Sequence, residues 1–198
     1  MEQFSENQII VFGGSFNPPT KAHENIMRAC LELPEFDEVW IMPSGDRFDK
    51  QMNVTDQDRL NMLNIIKESE FNNDPRLLIS NFELNLPKPN QTINTIGALA
   101  ALHLNNNYWF AYGTDSYWSM PGWSNGKVIQ NKQNQIIINR GDQEVPKRKG
   151  IINLYVDQCE SISSTEVRVA INNRESIKNF VSSAIENYIV QKKLYILK

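Results

Sequence analysis

Apolar positions along the chain form two kinds of pattern that alternate. Short runs rich in β-branched and aromatic residues, closed by Gly, Pro or polar residues, are typical of buried strands. Between them, apolar residues recur every three or four positions, which predicts helices beginning near Thr20, at Thr55, at Thr92, near Ser163 and near Ser176. The predicted strands cover residues 9–12, 39–42, 77–79, 108–112, 135–139 and 151–156.

This alternation of strands and helices predicts an α/β fold. We expect a doubly wound, largely parallel sheet with helices on both faces. Ligands of such sheets bind at the carboxyl ends of the strands. The chain of 198 residues has the usual size of one domain, and no repeat, linker or low-complexity stretch divides it. The sequence therefore predicts a single domain over residues 1–198.

Net charge and cysteine spacing indicate which partners and which cellular compartment the sequence favours. The net charge is -3 and the sequence pI is about 5.5, so the chain lacks the basic excess that neutralises nucleic-acid phosphates. Cys30 and Cys159 have neither metal-type nor redox-type spacing, which fits a reducing compartment. The first residues are polar and acidic, and no run is long and apolar enough to cross a membrane. We expect a cytoplasmic protein without nucleic-acid or membrane partners, and the oligomeric state, a homo-oligomer included, stays open.

The first candidate site follows the first predicted strand. Gly13 and Gly14 let the backbone turn sharply and approach a ligand closely. The helix that begins near Thr20 presents N–H groups without intrahelical partners and a partial positive charge. Lys21 and His23 lie in its first turn, where the helix dipole opposes a cation by ~0.3–1 kcal/mol. This unfavourable placement favours a bound anion over the alternative, a glycine pair that merely ends a strand beside a surface histidine.

The second candidate site comes just after the last predicted strand. Ser163 and Glu166 have the spacing of a capping box, which is a structural alternative to ligand binding. A capping box leaves Ser164, Thr165 and Arg168 unexplained. Hydroxyls, backbone N–H groups and a guanidinium at one helix start can surround a polyphosphate, each charged hydrogen bond contributing ~1.5–3 kcal/mol. We expect capping and phosphate binding at the same helix start.

Together these segments resemble the nucleotidyltransferase superfamily, which has an (H/T)xxH motif after a glycine-ended strand and a late ISSTxxR motif. Thr20 and His23 match the first motif, and residues 162–168 match the second at every defined position. The resemblance runs from Ile9 to about Tyr195 and points to nicotinate or nicotinamide mononucleotide adenylyltransferases. It implies a Rossmann-like nucleotidyltransferase fold and transfer of AMP from ATP to the mononucleotide, giving deamido-NAD or NAD plus pyrophosphate in NAD biosynthesis.

Three intermediate segments add residues by the same resemblance. Gly113 and Asp115 resemble the family's GxD segment, whose aspartate binds a ribose hydroxyl of the adenosine. Trp123 is placed like the tryptophan that stacks on the pyridine ring in bacterial members. Thr92 lies in a segment like the one whose backbone contacts the pyridine carboxylate or carboxamide. The structural alternatives are a helix cap for Asp115 and for Thr92 and core packing for Trp123.

The chain also departs from the bacterial pattern of the family. Thr20 stands where most bacterial members have a histidine, Ala22 replaces a common glycine, and Gln91 replaces a frequent tyrosine. These differences leave the choice between acid and amide substrate open. Lys50 and Arg59 lie in a stretch that resembles the family's mobile phosphate-binding loop and the following helix, although the usual prolines are fewer here.

The resemblance also implies a mechanism. The 5′-phosphate of the mononucleotide attacks the α-phosphorus of ATP without a covalent enzyme intermediate, His23 donates a hydrogen bond to the α-phosphate with help from Thr20, and Arg168 holds the leaving pyrophosphate. Mg²⁺ would bridge the ATP phosphates, without a metal cage built by the protein. The predicted site residues are, for catalysis, His23, Thr20 and Arg168; for ATP, Gly13, Gly14, Ser15, Gly113, Asp115, Ser163, Ser164 and Thr165; and for the mononucleotide, Ser15, Phe16, Lys50, Thr92 and Trp123.

Three alternatives remain at this stage. One is a related nucleotidyltransferase for another phosphate acceptor such as phosphopantetheine, although those relatives are usually shorter and lack a counterpart of the Trp123 region. Another is a nucleotide-binding sensor without turnover, supported only by Thr20. The last is an ordinary α/β domain that matches both motifs by chance. His103 has no partner nearby in sequence, and we interpret it as structural or exposed.

Overall fold

The protein is built around one parallel sheet. The computed structural model describes residues 6–45, 54–88, 90–102, 104–139, 145–157 and 162–196. The strand order is β3-β2-β1-β4-β5-β6, and every neighbouring pair is parallel. This confirms the predicted α/β fold with a doubly wound sheet. The strands are β1 (Asn7–Gly14), β2 (Glu38–Pro43), β3 (Leu77–Ile79), β4 (Asn106–Gly113), β5 (Asn134–Asn139) and β6 (Ile151–Tyr155).

Helices cover both faces of the sheet. Two short 3₁₀ turns, Glu83–Asn85 and Met120–Gly122, stand between the longer elements. In the described ranges, no helix is both long and apolar enough to span a bilayer. The helices are α1 (Lys21–Leu31), α2 (Asp56–Phe71), α3 (Thr92–Leu102), α4 (Thr114–Ser119), α5 (Gly126–Lys132), α6 (Ser164–Asn172) and α7 (Ser183–Lys192).

The central strand β1 is buried on both sides. Because successive side chains of a strand point to opposite faces, Ile10 and Phe12 pack in the cluster that holds α1, α2, α6 and α7. Ile9 and Val11 pack in the opposite cluster, with Leu99 of α3. This two-sided burial explains why the run at residues 9–12 is apolar throughout instead of alternating.

The chain changes its direction of winding between the adjacent strands β1 and β4. The carboxyl ends of these two strands lie side by side. β1 lies between β2 and β4, so the helices that follow β1 and β4 leave toward opposite faces. Gly14 pairs with Pro43 on one side, and Gly113 pairs with Ile138 further along the sheet. Such a switch point opens a crevice at the strand ends, which is the usual ligand position in doubly wound folds.

The predicted start of the last helix, near Ser176, is wrong. Residues 176–182 form turns and irregular backbone, and α7 begins at Ser183. The backbone N–H of Lys21 donates to the Phe180 carbonyl at 2.9 Å, and Nζ of Lys21 donates to the Lys178 carbonyl at 2.7 Å. Because these carbonyls bind the start of α1, the segment supports that helix instead of forming one of its own.

The connection between β4 and β5 holds two short helices that the apolar pattern did not predict. Six or seven residues are too few to show a helical period. Gly126, the first residue of α5, packs against the turn that precedes Trp123. A Cβ at this position would overlap the carbonyl of Met120 and would lie 3.2 Å from Cβ of Trp123. Glycine at 126 therefore allows the close approach of α5 to the backbone around Trp123.

We predict that Gly126→Ala lowers the free energy of unfolding by about 1–3 kcal/mol, the usual range for overpacking. Gly97→Ala is the control, because a Cβ at this exposed position in α3 meets nothing within 4 Å. It should raise the free energy of unfolding by up to about 1 kcal/mol through helix propensity. Urea unfolding followed by circular dichroism measures both. Equal stability of Gly126→Ala and the wild type would contradict the steric argument.

Candidate active site

The loop between β1 and α1 begins with a close approach of Gly14 to the ring of Phe16. A Cβ on Gly14 would lie 3.1–3.4 Å from ring atoms of Phe16. Phe16 has a φ of 44° and is fully buried, with its ring edge-on to Phe12 at 5.6 Å and to His23 at 5.1 Å between centroids. Gly14 thus makes room for an aromatic ring that packs beneath the loop and against the imidazole.

The start of α6 lies directly against this loop. Nη1 of Arg168 donates to the Asn17 carbonyl at 2.7 Å, and Oγ of Ser164 donates to the Pro18 carbonyl at 2.8 Å. These hydrogen bonds join residues about 150 positions apart in sequence. The two candidate anion sites are therefore neighbours in the fold.

Thr20 holds one ring nitrogen of His23. The Thr20 backbone N–H donates to Nδ1 at 3.0 Å, and its hydroxyl lies 2.8 Å from the same nitrogen. A backbone N–H can only donate, so Nδ1 accepts and the proton of the neutral ring lies on Nε2. Thr20 is fully buried at the N-cap of α1 and His23 is partly buried in the first turn. The arrangement sets the tautomer in which Nε2 is a hydrogen-bond donor.

The start of α6 is a capping box, as the sequence predicts. The Ser163 backbone N–H donates to Oε2 of Glu166 at 2.8 Å, and the Glu166 backbone N–H donates to Oγ of Ser163 at 3.2 Å. Oγ of Ser163 also donates to Oε2 of Glu166 at 2.8 Å, and this bond, together with the one from the Ser163 backbone N–H, holds the pKa of Glu166 below its usual value. Nη2 of Arg168 also donates to Oγ1 of Thr165 at 3.1 Å. The guanidinium is thus fixed between its own helix and the β1–α1 loop, with donors left over from its five N–H groups.

The end of β4 lies at the same edge of the sheet. Gly113 is the N-cap of α4, and Oγ1 of Thr114 donates to the Ile138 carbonyl at 3.0 Å. Asp115 is exposed in the first turn of α4. The helix start is therefore tied to β5, which leaves the Asp115 carboxylate on the surface at the carboxyl end of the sheet.

Trp123 packs on an aromatic side chain from the end of β4. Its ring lies 6.0 Å from the Tyr112 ring at an interplanar angle of 70°. Burial, together with the negative charge of Glu83, raises the pKa of Tyr112, so the phenol stays protonated near neutral pH. Trp123 is only half-buried. One side of its indole is therefore supported by the fold while part of it remains accessible.

A carboxylate missed by sequence reasoning ties the start of α3 to β2. Oε1 of Glu83 accepts from the Gly45 backbone N–H at 3.3 Å, and Oε2 accepts from Oγ1 of Thr95 at 3.3 Å. Asn90 donates to that same hydroxyl from Nδ2 at 2.8 Å. Thr92, the first residue of α3, is thereby positioned beside the end of β2. No signal in the sequence marks Glu83, because the segment around it is short and has no periodicity.

Two further residues near the loop were not among the predicted site residues. Arg59 of α2 is fully buried, and its Nη1 donates to the Ser15 carbonyl at 2.9 Å. Tyr195 is buried after α7, where burial raises the pKa of its phenol and the nearby charges of Arg168 and Arg59 oppose that rise. The apolar stripe of α2 could have marked Arg59, since a cation at such a position needs a polar partner in the interior.

The structure thus brings most predicted site residues to one edge of the sheet. The β1–α1 loop and the start of α6 are in direct contact, and the start of α4 lies at the end of the neighbouring strand. Thr92 and Trp123 begin or follow elements on the other face, supported by Glu83 and Tyr112. Lys50 and His103 lie outside the described residues.

We predict that neutral His23 is the Nε2–H tautomer, because Nδ1 accepts from the Thr20 backbone. Nitrogen-15 NMR of the imidazole in alkaline solution, where the ring is neutral, distinguishes the two tautomers. The chain has two histidines, so a His103→Gln variant leaves a single ring to observe. A protonated Nδ1 in that spectrum would contradict the hydrogen bond from Thr20.

Comparisons with known proteins identify the family of the chain. The model of the cytidylyltransferase-like family matches residues 11–170. A "probable nicotinate-nucleotide adenylyltransferase" of Fusobacterium nucleatum is 30% identical over 190 residues, covering 92% of this chain and 96% of the relative. A protein of the same name from Leptospira borgpetersenii is 29% identical over 196 residues, covering 93% and 95%.

A solved structure shows the same fold. The Plasmodium falciparum nicotinic acid mononucleotide adenylyltransferase complexed with NaAD superposes with a TM-score of 0.85, at 24% identity, over 96% of this chain and 97% of the other. The resemblance inferred from the two motifs is confirmed: the chain belongs to the cytidylyltransferase-like family and, within it, to the nicotinate-nucleotide adenylyltransferases, which are nucleotidyltransferase enzymes.

Proposed function

We propose that this enzyme transfers the adenylyl group of ATP to nicotinate or nicotinamide mononucleotide in NAD biosynthesis. An oxygen of the mononucleotide 5′-phosphate forms a bond to the α-phosphorus of ATP. The bond from that phosphorus to the β-phosphate bridge oxygen breaks, and its electrons leave with pyrophosphate. The products are deamido-NAD or NAD. The observation that carries the proposal is the contact of Arg168 and Ser164 with the β1–α1 loop.

That contact places two helix N-termini beside one another. Each presents backbone N–H groups and a partial positive charge, which together favour a polyphosphate. Ser163 and Thr165 are exposed at the start of α6, and Arg168 adds its remaining N–H donors. We assign these groups to the β- and γ-phosphates that leave. Because the Ser164 hydroxyl is engaged with Pro18, its part in ATP binding falls to its backbone N–H.

His23 is assigned to the α-phosphate. With Nδ1 accepting from Thr20, the ring offers Nε2–H to the oxygens on which charge develops in the transition state. Thr20 and Phe16 hold the ring from its other nitrogen and from one edge. A donor fixed in this way loses little orientational freedom when the substrates bind, which is the basis of preorganised electrostatic catalysis.

The rest of the ATP molecule is assigned to the β1–α1 loop and to the start of α4. Gly13 and Gly14 allow close approach of the loop backbone to ATP, and the exposed Asp115 after Gly113 is assigned to a ribose hydroxyl of the adenosine. Ser15 is assigned to both substrates.

The mononucleotide lies, in this proposal, between the loop and the start of α3. The buried ring of Phe16 limits its contact with the mononucleotide to the backbone. The accessible part of the Trp123 indole is assigned to the pyridine ring and the Thr92 backbone to the ring substituent. Lys50 is assigned to the mononucleotide phosphate on the family pattern alone.

The donor set fits Mg²⁺ that is bound through ATP. In the described part of the chain, no three His, Cys, Asp or Glu side chains form a group that could hold a metal. The side chains that we assign to the β- and γ-phosphates at the start of α6 are hydroxyls and a guanidinium, which bind phosphate oxygens. Mg²⁺ carried in on the phosphates would neutralise part of their charge during the transfer.

The proposal also covers the domain organisation, the partners and the cellular location of the enzyme. The described strands form one sheet, which supports a single domain over residues 1–198, and the net charge of -3 gives no basis for a nucleic-acid partner. Cytoplasmic location is proposed from the cysteine spacing and the small-molecule substrates.

The direct test incubates the protein with ATP, Mg²⁺ and one acceptor at a time. Nicotinate mononucleotide, nicotinamide mononucleotide and phosphopantetheine are compared by chromatography of the dinucleotide product and by release of pyrophosphate. We expect turnover with at least one pyridine mononucleotide, and the ratio of the two kcat/KM values gives the acid or amide preference. Turnover only with phosphopantetheine, or ATP binding without any product, would sink the proposal.

We predict that His23→Ala lowers kcat by about 10²–10³, the range seen when one preorganised donor to a developing charge is removed. KM for ATP should change much less, because the start of α6 still holds the β- and γ-phosphates. Steady-state kinetics measures both constants. His103→Ala, a substitution of the other histidine, is the matched control and should retain wild-type kcat. Near-normal turnover of His23→Ala would remove His23 from the mechanism.

A further inference from the structure

Three carbonyl groups of the β1–α1 loop are held by side chains from distant parts of the chain. Two of them, from Asn17 and Pro18, bind Arg168 and Ser164 of α6. The third, from Ser15, lies closest to the glycine pair and accepts from Nη1 of Arg59 at 2.9 Å. The predicted assignment places the first two donors at the ATP phosphates, whereas Arg59 has no role in it.

Burial of the Arg59 guanidinium carries a large desolvation cost. Arg59 is 0% exposed, on the same stripe of α2 as Met62, Leu63 and Ile66, which are also fully buried. Removing a guanidinium from water costs several kcal/mol even after relaxation. An apolar residue of similar length would fill the same space without that cost. Packing therefore does not account for an arginine here, and its polar contacts must.

The guanidinium contacts one backbone carbonyl and one carboxylate. Besides the Ser15 carbonyl, the guanidinium has an ion pair between Nη2 and Oδ1 of Asp56 at 2.5 Å. Its Nε–H has no hydrogen-bond partner within the part of the chain that the structure describes. Asp56 is the first residue of α2 and is 38% exposed on its side chain, so water and the helix N-terminus also stabilise its charge. The bond to Ser15 is the contact that links the buried guanidinium to the β1–α1 loop.

The Ser15 carbonyl belongs to the loop that the proposed function assigns to both substrates. A carbonyl oxygen directed at a phosphate would repel it, whereas one held by a buried cation leaves the loop N–H groups to face the anion. The next residue, Phe16, packs edge-on against His23 at 5.1 Å. A rotation of the peptide after Ser15 would therefore move the ring that supports the imidazole.

We infer that Arg59 is a positioning residue of the active site, which holds the Ser15 carbonyl so that the β1–α1 loop and His23 keep the geometry needed for transfer. The inference deepens the proposed function and rests on it for the kinetic part of its test. It requires no contact between Arg59 and either substrate.

The test uses Arg59→Met, which keeps the length of the side chain and removes its donors. Because the Asp56 side chain is 38% exposed, water still solvates its carboxylate when the guanidinium is removed, so no buried charge is left unpaired and the variant should fold. We expect kcat/KM for the mononucleotide to fall by about ten- to a hundredfold, since a misplacement of ~1 Å at a reacting group can cost about a hundredfold. KM for the mononucleotide should rise more than KM for ATP, whose phosphates α6 still binds.

Hydrogen exchange provides a readout that does not depend on activity. Amide exchange of peptides covering residues 13–20 should be faster in Arg59→Met than in the wild type, while peptides from β5 and β6 remain unchanged. If the wild type turned over neither pyridine mononucleotide, the proposed function would fail, and the exchange experiment would still decide whether Arg59 orders the loop.

Two further variants serve as controls. Arg76→Met removes an arginine that likewise binds one backbone carbonyl, of Leu31 at 3.1 Å, and one aspartate, Asp74 at 2.9 Å, but at the opposite end of β3. It should leave kinetics and loop exchange unchanged. Asp56→Asn removes the ion pair and keeps the bond to Ser15, so its effect on kcat/KM should be smaller than that of Arg59→Met.

Each result of these experiments either supports or overturns the inference about Arg59. Wild-type kcat/KM and wild-type loop exchange in folded Arg59→Met would overturn the inference, as would an equal loss in Asp56→Asn. If Arg59→Met does not fold, Arg59→Lys carries both measurements. A lysine keeps the charge but cannot bridge Ser15 and Asp56 with a planar fork, so partial loss of kcat/KM with faster loop exchange supports the inference. Full retention of both would contradict it.

Discussion

The candidate site depends on the hydrogen bonds that hold the carbonyl groups of the β1–α1 loop. Asn17 and Pro18 accept from side chains of α6, and these contacts bring a helix near the end of the chain against one near its beginning. Bonds that involve a charged donor contribute about 1.5–3 kcal/mol, enough to hold a short loop in one conformation. Without them, the starts of α1 and α6 would not be held beside one another and could not form a shared site.

Concentrating positive potential in this way opposes stability unless an anion is bound. Two helix N-termini lie side by side with Arg168 between them, and Arg59 is buried behind the loop, in a protein whose net charge is -3. The fold compensates locally, through the capping carboxylate of Glu166 and the ion pair with Asp56. In the proposed function, ligand phosphates complete the compensation, so their binding should stabilise the folded state by mass action.

Much of the fold follows from patterns that a single segment displays. The run at residues 9–12 is apolar because β1 is covered on both faces, and the box formed by Ser163 and Glu166 is local to one turn. The last helix shows the limit of such patterns. Ser176 has the character of an N-cap, yet the carbonyls that follow it bind Lys21 of another helix. A contact between segments overrides a local preference, and no local pattern reports it.

The sequence alone determined the alternation of strands and helices, the glycine turn with Thr20 and His23, and the late motif that ends at Arg168. It did so because periodicity, capping and backbone freedom act over a few neighbouring residues. Only the tertiary structure decided that Arg168 binds the Asn17 carbonyl, that Arg59 binds Ser15 and that Glu83 ties α3 to β2. Each of these joins segments whose separation in the chain carries no information about their distance in space, which the packing of helices on the sheet sets.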